Sequence, residues 1–223
     1  MLAIEAYKKF LLKINKNDTN SDIDINKGEF VLLYNEQKDK WLENKIAKSQ
    51  ANDNVEDLEE VQVKHFLLSK VQDQTGYSTF SLPDNFFSYL SSYSHCSSDS
   101  CKDVIVYHYL IKPRNENMLL ENSNTQPSLD FEETIVDLSE NKLFVYKSDF
   151  SVDTTSLNYY RKIGEIDIEG YRKVDGKESK SINPDVSDMT VDKILDHCVI
   201  EVIRRYENPD GFQLAQHRIQ TED

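Results

Sequence analysis

The sequence predicts an α+β fold with an N-terminal helical bundle, a central antiparallel β-sandwich-like part and a C-terminal helix that packs back on the bundle. Apolar residues recur every three or four positions near both ends of the chain. Short β-branched and aromatic runs separated by polar turns fill the middle. We expect helices over residues 1–70, strands over 71–161, an extended loop over 162–184, and a C-terminal helix and tail over 185–223, all in one folded unit of the 223 residues.

The first seventy residues predict three helices. Residues 2–14 carry one apolar stripe, and a second helix is predicted from Asn26 to about residue 47. Glu29 stands three residues after Asn26, which is the spacing of a capping box. The pattern after Asp53 predicts a third helix that reaches about residue 66.

The middle of the chain predicts strands near 80–83, 104–111, 130–138, 142–147 and 154–161. The charged stretch 162–183 contains three glycines and favours an extended loop. From Asp188 the spacing predicts a helix with one apolar face, and acidic residues near its start and arginines at its end suit the helix dipole. That face consists of Val191, Ile194, Leu195, Cys198, Val202 and Tyr206. Residues 210–223 predict a short helix that frays.

Charge and composition exclude several classes of protein. The net charge is −14 and no segment is basic, which disfavours sequence-specific DNA binding but is compatible with an acidic wall past which DNA slides. The sequence has no run of eighteen apolar residues and no signal-peptide pattern at its start. We therefore expect neither a membrane-spanning segment nor export of the protein. Three cysteines without a disulfide pattern suit a reducing cytoplasm. We expect some of the twelve Tyr and ten Phe to contact a partner.

One group of residues has the composition of a metal site: His95, Cys96, Cys101 and His108. Zinc sites usually supply cysteines two residues apart, whereas four residues separate these two in a Ser-rich stretch. We interpret them as solvated loop thiols and a half-buried histidine. We therefore predict no metal site.

Carboxylates cluster at Asp130, Glu132, Glu133 and Asp137, where Asp130 and Glu132 share one face of a predicted strand. Their spacing is not diagnostic in a chain with 40 acidic residues, and neither a glycine-rich phosphate loop nor a nucleophile motif is present. We predict no catalytic or cofactor-binding residue, no cofactor and no enzymatic activity. Two alternatives stay open: a metal-dependent hydrolase that uses these carboxylates, and a monomeric adaptor that binds one protein.

The order of several short motifs resembles the head-to-tail connector proteins of short-tailed phages, called adaptor, ring or tubular tail proteins. The resemblance is strongest to the ring proteins of crAss-like phages and spans nearly the whole chain. The motifs are, in chain order, GEFVLLYNE at 28–36, FSLPDNF at 80–86, DFSV at 149–152, YYR at 159–161, INP at 182–184, ILDHC at 194–198 and YENP at 206–209.

The resemblance implies a virion protein of the tail or neck, made in the host cytoplasm. Twelve copies would form a ring below the portal around the DNA channel, touching the portal or other tail rings, with DNA only passing through. We expect interface residues at Tyr160, Arg161, Phe212 and Arg218. The segment 162–183 and the tail after Pro209 are the expected arms that order on a neighbouring subunit.

Overall fold

The computed structural model of the chain describes residues 1–17, 24–52, 56–111 and 126–205, and it confirms the α+β fold. The chain forms two compact units. A helical unit comprises residues 1–61 and the chain from residue 163 onward, and a sheet unit comprises residues 62–162. In chain order, the sheet unit is therefore inserted between the second and the last helix.

Among its described residues, the helical unit contains three α-helices: α1 (Ala3–Asn17), α2 (Lys27–Asn52) and α3 (Asp188–Arg205). The capping box at the start of α2 is confirmed, because the Glu29 N–H donates to Asn26 Oδ1 at 3.0 Å and the Asn26 N–H donates to Glu29 Oε2 at 3.1 Å. Ser187 caps α3, since its Oγ accepts from the Thr190 N–H at 3.3 Å. In the described part of the chain, no helix is both long and apolar enough to cross a membrane.

The C-terminal helix α3 packs against α1 and α2, as predicted. Lys13 Nζ of α1 lies 2.6 Å from Asp196 Oδ1 of α3, and Lys9 pairs with Asp192 one turn earlier. The Phe10 and Phe30 rings join α1 to α2 with centroids 4.9 Å apart. The buried face of α3 contains the predicted residues Val191, Ile194, Leu195, Cys198 and Val202.

The predicted third helix is wrong. Residues Glu56–Val61 form one short 3-10 helix, and a strand begins at Gln62, so residues 62–70 belong to the sheet rather than to the helical part. The Cα of Gln62 pairs with that of Tyr160, almost a hundred residues away. This tertiary pairing overrides the local helical spacing. Asp53, the predicted cap, lies outside the described residues.

The sheet unit contains eight strands in the ranges 62–111 and 126–162 that the structure describes. They are β1 (Gln62–Leu67), β2 (Ser69–Asp73), β3 (Tyr77–Ser81), β4 (Phe86–Ser97), β5 (Val104–Leu110), β6 (Glu133–Ser139), β7 (Lys142–Tyr146) and β8 (Ser151–Arg161). The strands expected near residues 80, 104, 130, 142 and 154 correspond to β3, β5, β6, β7 and β8. Strands β1, β2 and β4 were not predicted.

The strands form one sheet in the order β1-β8-β4-β5-β6-β7-β3-β2. All neighbours are antiparallel except β5 and β6, which run parallel, so the sheet is mixed where the sequence predicted an antiparallel one. Twenty-two residues separate Leu110 from Glu133, which is enough for the crossover that a parallel pair requires.

The sheet is curled, and its two ends meet. Strands β1 and β2 stand at opposite ends of the strand order, yet only Leu68 separates them in the chain. The Leu68 N–H donates to the Thr155 carbonyl of β8, and the chain then turns to pair with β3. The curl encloses a core of Leu68, Phe80, Leu82, Cys96, Val106, Val136, Leu143, Val145, Phe150, Val152, Leu157 and Tyr159.

The segment 163–182 is extended, as predicted, but it is tied to its own helical unit. The Asn35 side chain of α2 both accepts from the Ile166 N–H and donates to its carbonyl, each at 3.0 Å. The buried Asp167 carboxylate accepts from Tyr171 Oη at 2.8 Å and from the Lys180 N–H at 2.9 Å. The segment is therefore ordered on its own subunit, and its expected role as an arm on a neighbouring subunit stays a prediction. The tail after Pro209 lies outside the described residues.

Candidate protein-interaction surface

The side of β5 that faces away from the core is strongly exposed and aromatic. In the run VIVYHYL, Val106 is fully buried and Val104 packs on the same core. The alternate residues Ile105, Tyr107 and Tyr109 are 41%, 57% and 54% exposed. Because successive side chains of a strand point to opposite faces, the sequence itself places these three on the outer side.

Neighbouring strands continue this surface. The Cα atoms of Tyr93 and Tyr107 are paired across β4 and β5, and those of His95 and Ile105 are the next pair on the same face. The His65 ring of β1 meets the Tyr93 ring edge-on, with centroids 6.1 Å apart and His65 Nδ1 3.2 Å from Tyr93 Oη. We call the following six residues the aromatic face: His65, Tyr93, His95, Ile105, Tyr107 and Tyr109.

A β-bulge places His65 on this surface. The register of β1 shifts between Val63 and Phe66, and His65 has a φ of 55°. Its N–H donates to Asn158 Oδ1 at 2.7 Å, and Asn158 Nδ2 donates to Ser91 Oγ at 2.8 Å. The polar side chains of β8 and β4 therefore hold the bulge in place.

Carboxylates border the aromatic face. Glu133 Oε1 accepts a hydrogen bond from Tyr109 Oη at 2.8 Å, which raises the pKa of the Tyr109 phenol. Asp103 Oδ1 lies 2.6 Å from His95 Nδ1. Exposed aromatic rings with a polar border are typical of protein interfaces, where tyrosine contributes much of the binding energy.

Of the residues predicted for an interface, the structure describes two, and neither belongs to the aromatic face. Tyr160 of β8 is buried, being only 2% exposed, whereas Arg161 is half-buried and its Nη1 donates to the Lys162 carbonyl at 3.2 Å. Phe212 and Arg218 lie outside the described residues. The interface role of these four residues stays a prediction.

The four residues of the metal-like group are dispersed. The sequence predicted that Cys96 lies in a loop, but it is buried in β4. Burial raises the pKa of its thiol to about 12. His95 points to the aromatic face, Cys101 is exposed, and His108 points to the side of the sheet opposite Tyr107. Within the described ranges, no group of three or more His, Cys, Asp and Glu side chains could hold a metal ion.

The carboxylates near residue 130 also differ from the expectation. Strand β6 begins at Glu133, so Asp130 and Glu132 lie in the preceding turn and do not share a strand face. Glu132 has a φ of 54°, and Glu133 is engaged by Tyr109. Asp137 lies within β6.

A serine and a histidine meet inside the sheet unit. Ser92 Oγ lies 2.7 Å from His108 Nδ1 and 2.9 Å from Tyr89 Oη. Burial lowers the pKa of His108 to about 3, so the imidazole is neutral near pH 7 and is a weak base. In the described part of the chain, His108 Nε2 has no hydrogen-bond partner, so no carboxylate orients this ring as one would in a Ser-His-Asp triad. The contact satisfies buried polar atoms, and its geometry does not favour nucleophilic catalysis.

An open cleft of about 800 Å³ lies between the turn after β2 and the turn after β7. Asp73 and Lys147 line it and form an ion pair, and Ser78 Oγ also donates to Asp73 at 2.8 Å. These contacts lower the pKa of Asp73. The charges of Asp73 and Lys147 neutralise each other, and Asp149 is the remaining charged residue of the lining. A single carboxylate is not a concentrated charge for a ligand.

The aromatic face was not predicted from the sequence, although part of its pattern is present there. The alternation within Val104–Leu110 marks Ile105, Tyr107 and Tyr109 as one side of a strand. The contributions of Tyr93 and His65 were hidden because β1 and β4 were not predicted.

Comparison of the chain with protein-family models and with curated proteins found no match.

Proposed function

We propose that this chain is a structural virion protein that forms one ring of a phage head-to-tail connector, below the portal and around the DNA channel. The observation that carries the proposal is the aromatic face, because exposed clustered aromatic side chains are typical of protein interfaces. The order of motifs along the chain, which resembles that of connector proteins, specifies the kind of assembly. The protein would be made in the host cytoplasm and located in the tail or neck.

The aromatic face supports assembly because exposed aromatic side chains are costly to leave in water. Tyr107 and Tyr109 are each more than half exposed and adjoin Ile105 on the same strand. Clustered apolar surface of this kind marks interaction sites on soluble proteins. Tyrosine brings a large apolar ring with little loss of side-chain freedom, which favours tight packing against a neighbour.

A closed ring requires that one face of each subunit fit a different face of the next subunit. In this proposal the aromatic face is one of these two faces. The mechanism is geometric: the folded units of each subunit repeat around the ring, and the ring defines a channel of fixed width. In the helical unit, an ion pair between Lys13 and Asp196 joins α1 to α3, and aromatic contacts join α1 to α2. These contacts hold the helices together, as a building block of a ring requires.

The charge of the chain supports passage of DNA rather than binding. A protein that binds DNA neutralises phosphates with clustered Lys and Arg, whereas this chain carries a net charge of −14. An acidic channel wall repels the phosphate backbone and lets the DNA slide.

The composition of purified particles tests this proposal. Particles from the source of this sequence are banded on a density gradient, and peptides of this chain are quantified by mass spectrometry against peptides of the portal. We expect the chain in the particle band at a fixed ratio to the portal, since the resemblance implies a ring of twelve copies of this chain below it.

A chain absent from the particle band, or present at a ratio that varies between preparations, would contradict the proposal. A soluble host protein quantified in the same fractions is the control for contamination. If the chain is absent from particles and its melting temperature rises strongly in millimolar magnesium or manganese, the metal-dependent hydrolase gains support instead.

A further inference from the structure

The segment Gln62–Asp73 has an unusual position in the sheet. It forms both ends of the strand order, with β1 paired only with β8 and β2 paired only with β3. In the described part of the chain, no strand pairs with the opposite side of either one. Backbone groups on that side are therefore available for pairing. We call residues 62–73 the open edge.

The open edge is also exposed through its side chains. From Lys64 to Asp73 every residue except Leu68 is exposed. A sheet strand usually buries one of its two faces, whereas β2 is exposed along its whole length. Three of the exposed residues are large and apolar, namely Phe66 at 40%, Leu67 at 62% and Val71 at 55%.

Proteins usually protect a strand edge from pairing with other chains. Two such devices are present here, the lysines Lys64 and Lys70 and the register shifts within β1 and β2. Exposed apolar side chains have the opposite effect, because they favour the addition of a further strand. The Lys70 ammonium is already engaged by the Val152 carbonyl and by Asp73. Lys64 is then the charge that selects for an acidic strand rather than excluding every strand.

The end of the chain has the matching composition. Helix α3 ends at Arg205, and eighteen residues follow it. They contain four carboxylate side chains and one arginine, together with Phe212, Leu214 and Ile219. At roughly 3.3 Å per residue, an extended segment of this length could span about 60 Å, which is enough to reach a neighbouring subunit.

We propose that the open edge receives residues 206–223 of a second copy of this chain as an added strand. The inference rests on the proposed function, because it requires a neighbouring copy. Main-chain hydrogen bonds to β1 or β2 would supply affinity, and the apolar side chains of the tail would cover Phe66, Leu67 and Val71. Since each subunit gives one tail and accepts another, the contact is heterologous and suits a ring.

Disulfide crosslinking in the full-length chain tests this directly. Cys101, the exposed thiol, is first replaced by Ser, and cysteines are then introduced by Val71→Cys and Leu214→Cys. The matched control carries Leu12→Cys with Leu214→Cys, because Leu12 of α1 is also an exposed apolar residue. Circular dichroism establishes that every variant is folded. After oxidation over a range of protein concentrations, the products are separated without reductant and the linked peptides are identified by mass spectrometry.

We expect linkage between positions 71 and 214 of different chains, rising with concentration and about tenfold above that of the control. Linkage only within one chain would show that the tail occupies the edge of its own subunit, and it would overturn the proposal. Absence of this linkage at every concentration would overturn it as well. The crosslinking result is independent of the particle composition. If the chain is found in virions but shows no linkage between positions 71 and 214, the proposed connector function stands and only the exchanged strand is refuted.

Discussion

Tyr107 lies directly opposite Tyr93 across the antiparallel pair of β4 and β5, on the outer side of the sheet. Cross-strand aromatic pairs stabilise a sheet modestly, by about 0.2–1 kcal/mol. Here Tyr107 nevertheless keeps more than half of its surface in contact with solvent. The pair therefore contributes less to the core than to the surface that the subunit offers to others.

The first prediction concerns Tyr107. Tyr107→Ser should leave the melting temperature nearly unchanged, because substitutions at exposed positions usually alter the free energy of unfolding by about 0.5 kcal/mol or less. It should reduce incorporation into particles about tenfold, which corresponds to about 1.4 kcal/mol of lost contact energy. Incorporation is measured by complementing particles that lack the wild-type chain.

The matched control for Tyr107 is Leu12→Ser, which removes another exposed apolar side chain, in α1. This variant should assemble like the wild type. Equal losses of incorporation for the two variants would mean that any exposed apolar residue contributes to assembly. Normal assembly of Tyr107→Ser would remove the aromatic face from the proposal.

The second prediction concerns the buried side of α3. Val202 is 3% exposed, so Val202→Asp places an unpaired charge among apolar side chains and should cost about 3 kcal/mol of unfolding free energy. Met189→Asp on the same helix is the control, because Met189 is 64% exposed. Chemical denaturation measures both, and an unchanged midpoint for Val202→Asp would refute the assignment of this face to the core.

The third prediction concerns pH and Asp167. Burial acts to raise the pKa of this carboxyl, but the Lys173 ammonium and the hydrogen bonds from the Lys180 N–H and Tyr171 Oη outweigh burial and lower it. The folded-state pKa thus lies below the unfolded value of about 3.9. The ionised carboxylate stabilises the fold above that value, and the stabilisation disappears as the pH falls through the folded-state pKa.

Asp167→Asn should accordingly lower the free energy of unfolding by about 1–3 kcal/mol at pH 7. The difference from the wild type should narrow as the pH falls below about 4. Asp175→Asn alters an exposed carboxyl in the same segment and is the control. Thermal melts between pH 7 and pH 3 measure the difference in stability between the wild type and Asp167→Asn. A difference that stays constant with pH would contradict the stabilising role of the ionised Asp167 carboxylate.

The fourth prediction concerns the cysteines. In the native protein a thiol-reactive dye should label Cys101 quickly, while Cys96 and Cys198 react only after denaturation, because burial hides both and raises their pKa. Cys101→Ser should be neutral, whereas Cys96→Ser should cost about 1 kcal/mol by placing a hydroxyl in an apolar core. Elemental analysis should find no stoichiometric zinc. Rapid labelling of all three thiols, or about one zinc per chain, would contradict this account.

Local signals in the sequence were sufficient for α1, α2 and α3, although the same kind of signal wrongly predicted a helix beyond residue 61. The capping box of Asn26 and Glu29 and the apolar spacing of α3 are determined by residues within a few turns of each other. Strand β5 could also be predicted from its local pattern, because its β-branched and aromatic residues alternate between the core and the solvent.

The strands that escaped prediction depend on distant partners. Strand β4 reads FFSYLSSYSHCS, where serines interrupt the apolar pattern. Two of these serines are buried, and Ser94 Oγ lies 2.7 Å from Thr155 Oγ1 of β8. A buried serine is acceptable in a core only when such a partner is present, and no local pattern reveals a partner sixty residues away. The candidate site was hidden for the same reason, since Tyr93 and His65 stand on β4 and β1.

Reconstruction of intact particles by electron cryomicroscopy tests the central claim most directly. The account predicts that a ring of this chain lies in the neck, below the portal, with the aromatic face of each subunit, centred on Tyr107, buried against a neighbouring subunit. A neck whose rings are all formed by other chains, or a ring of this chain in which Tyr107 faces open solvent, would contradict it.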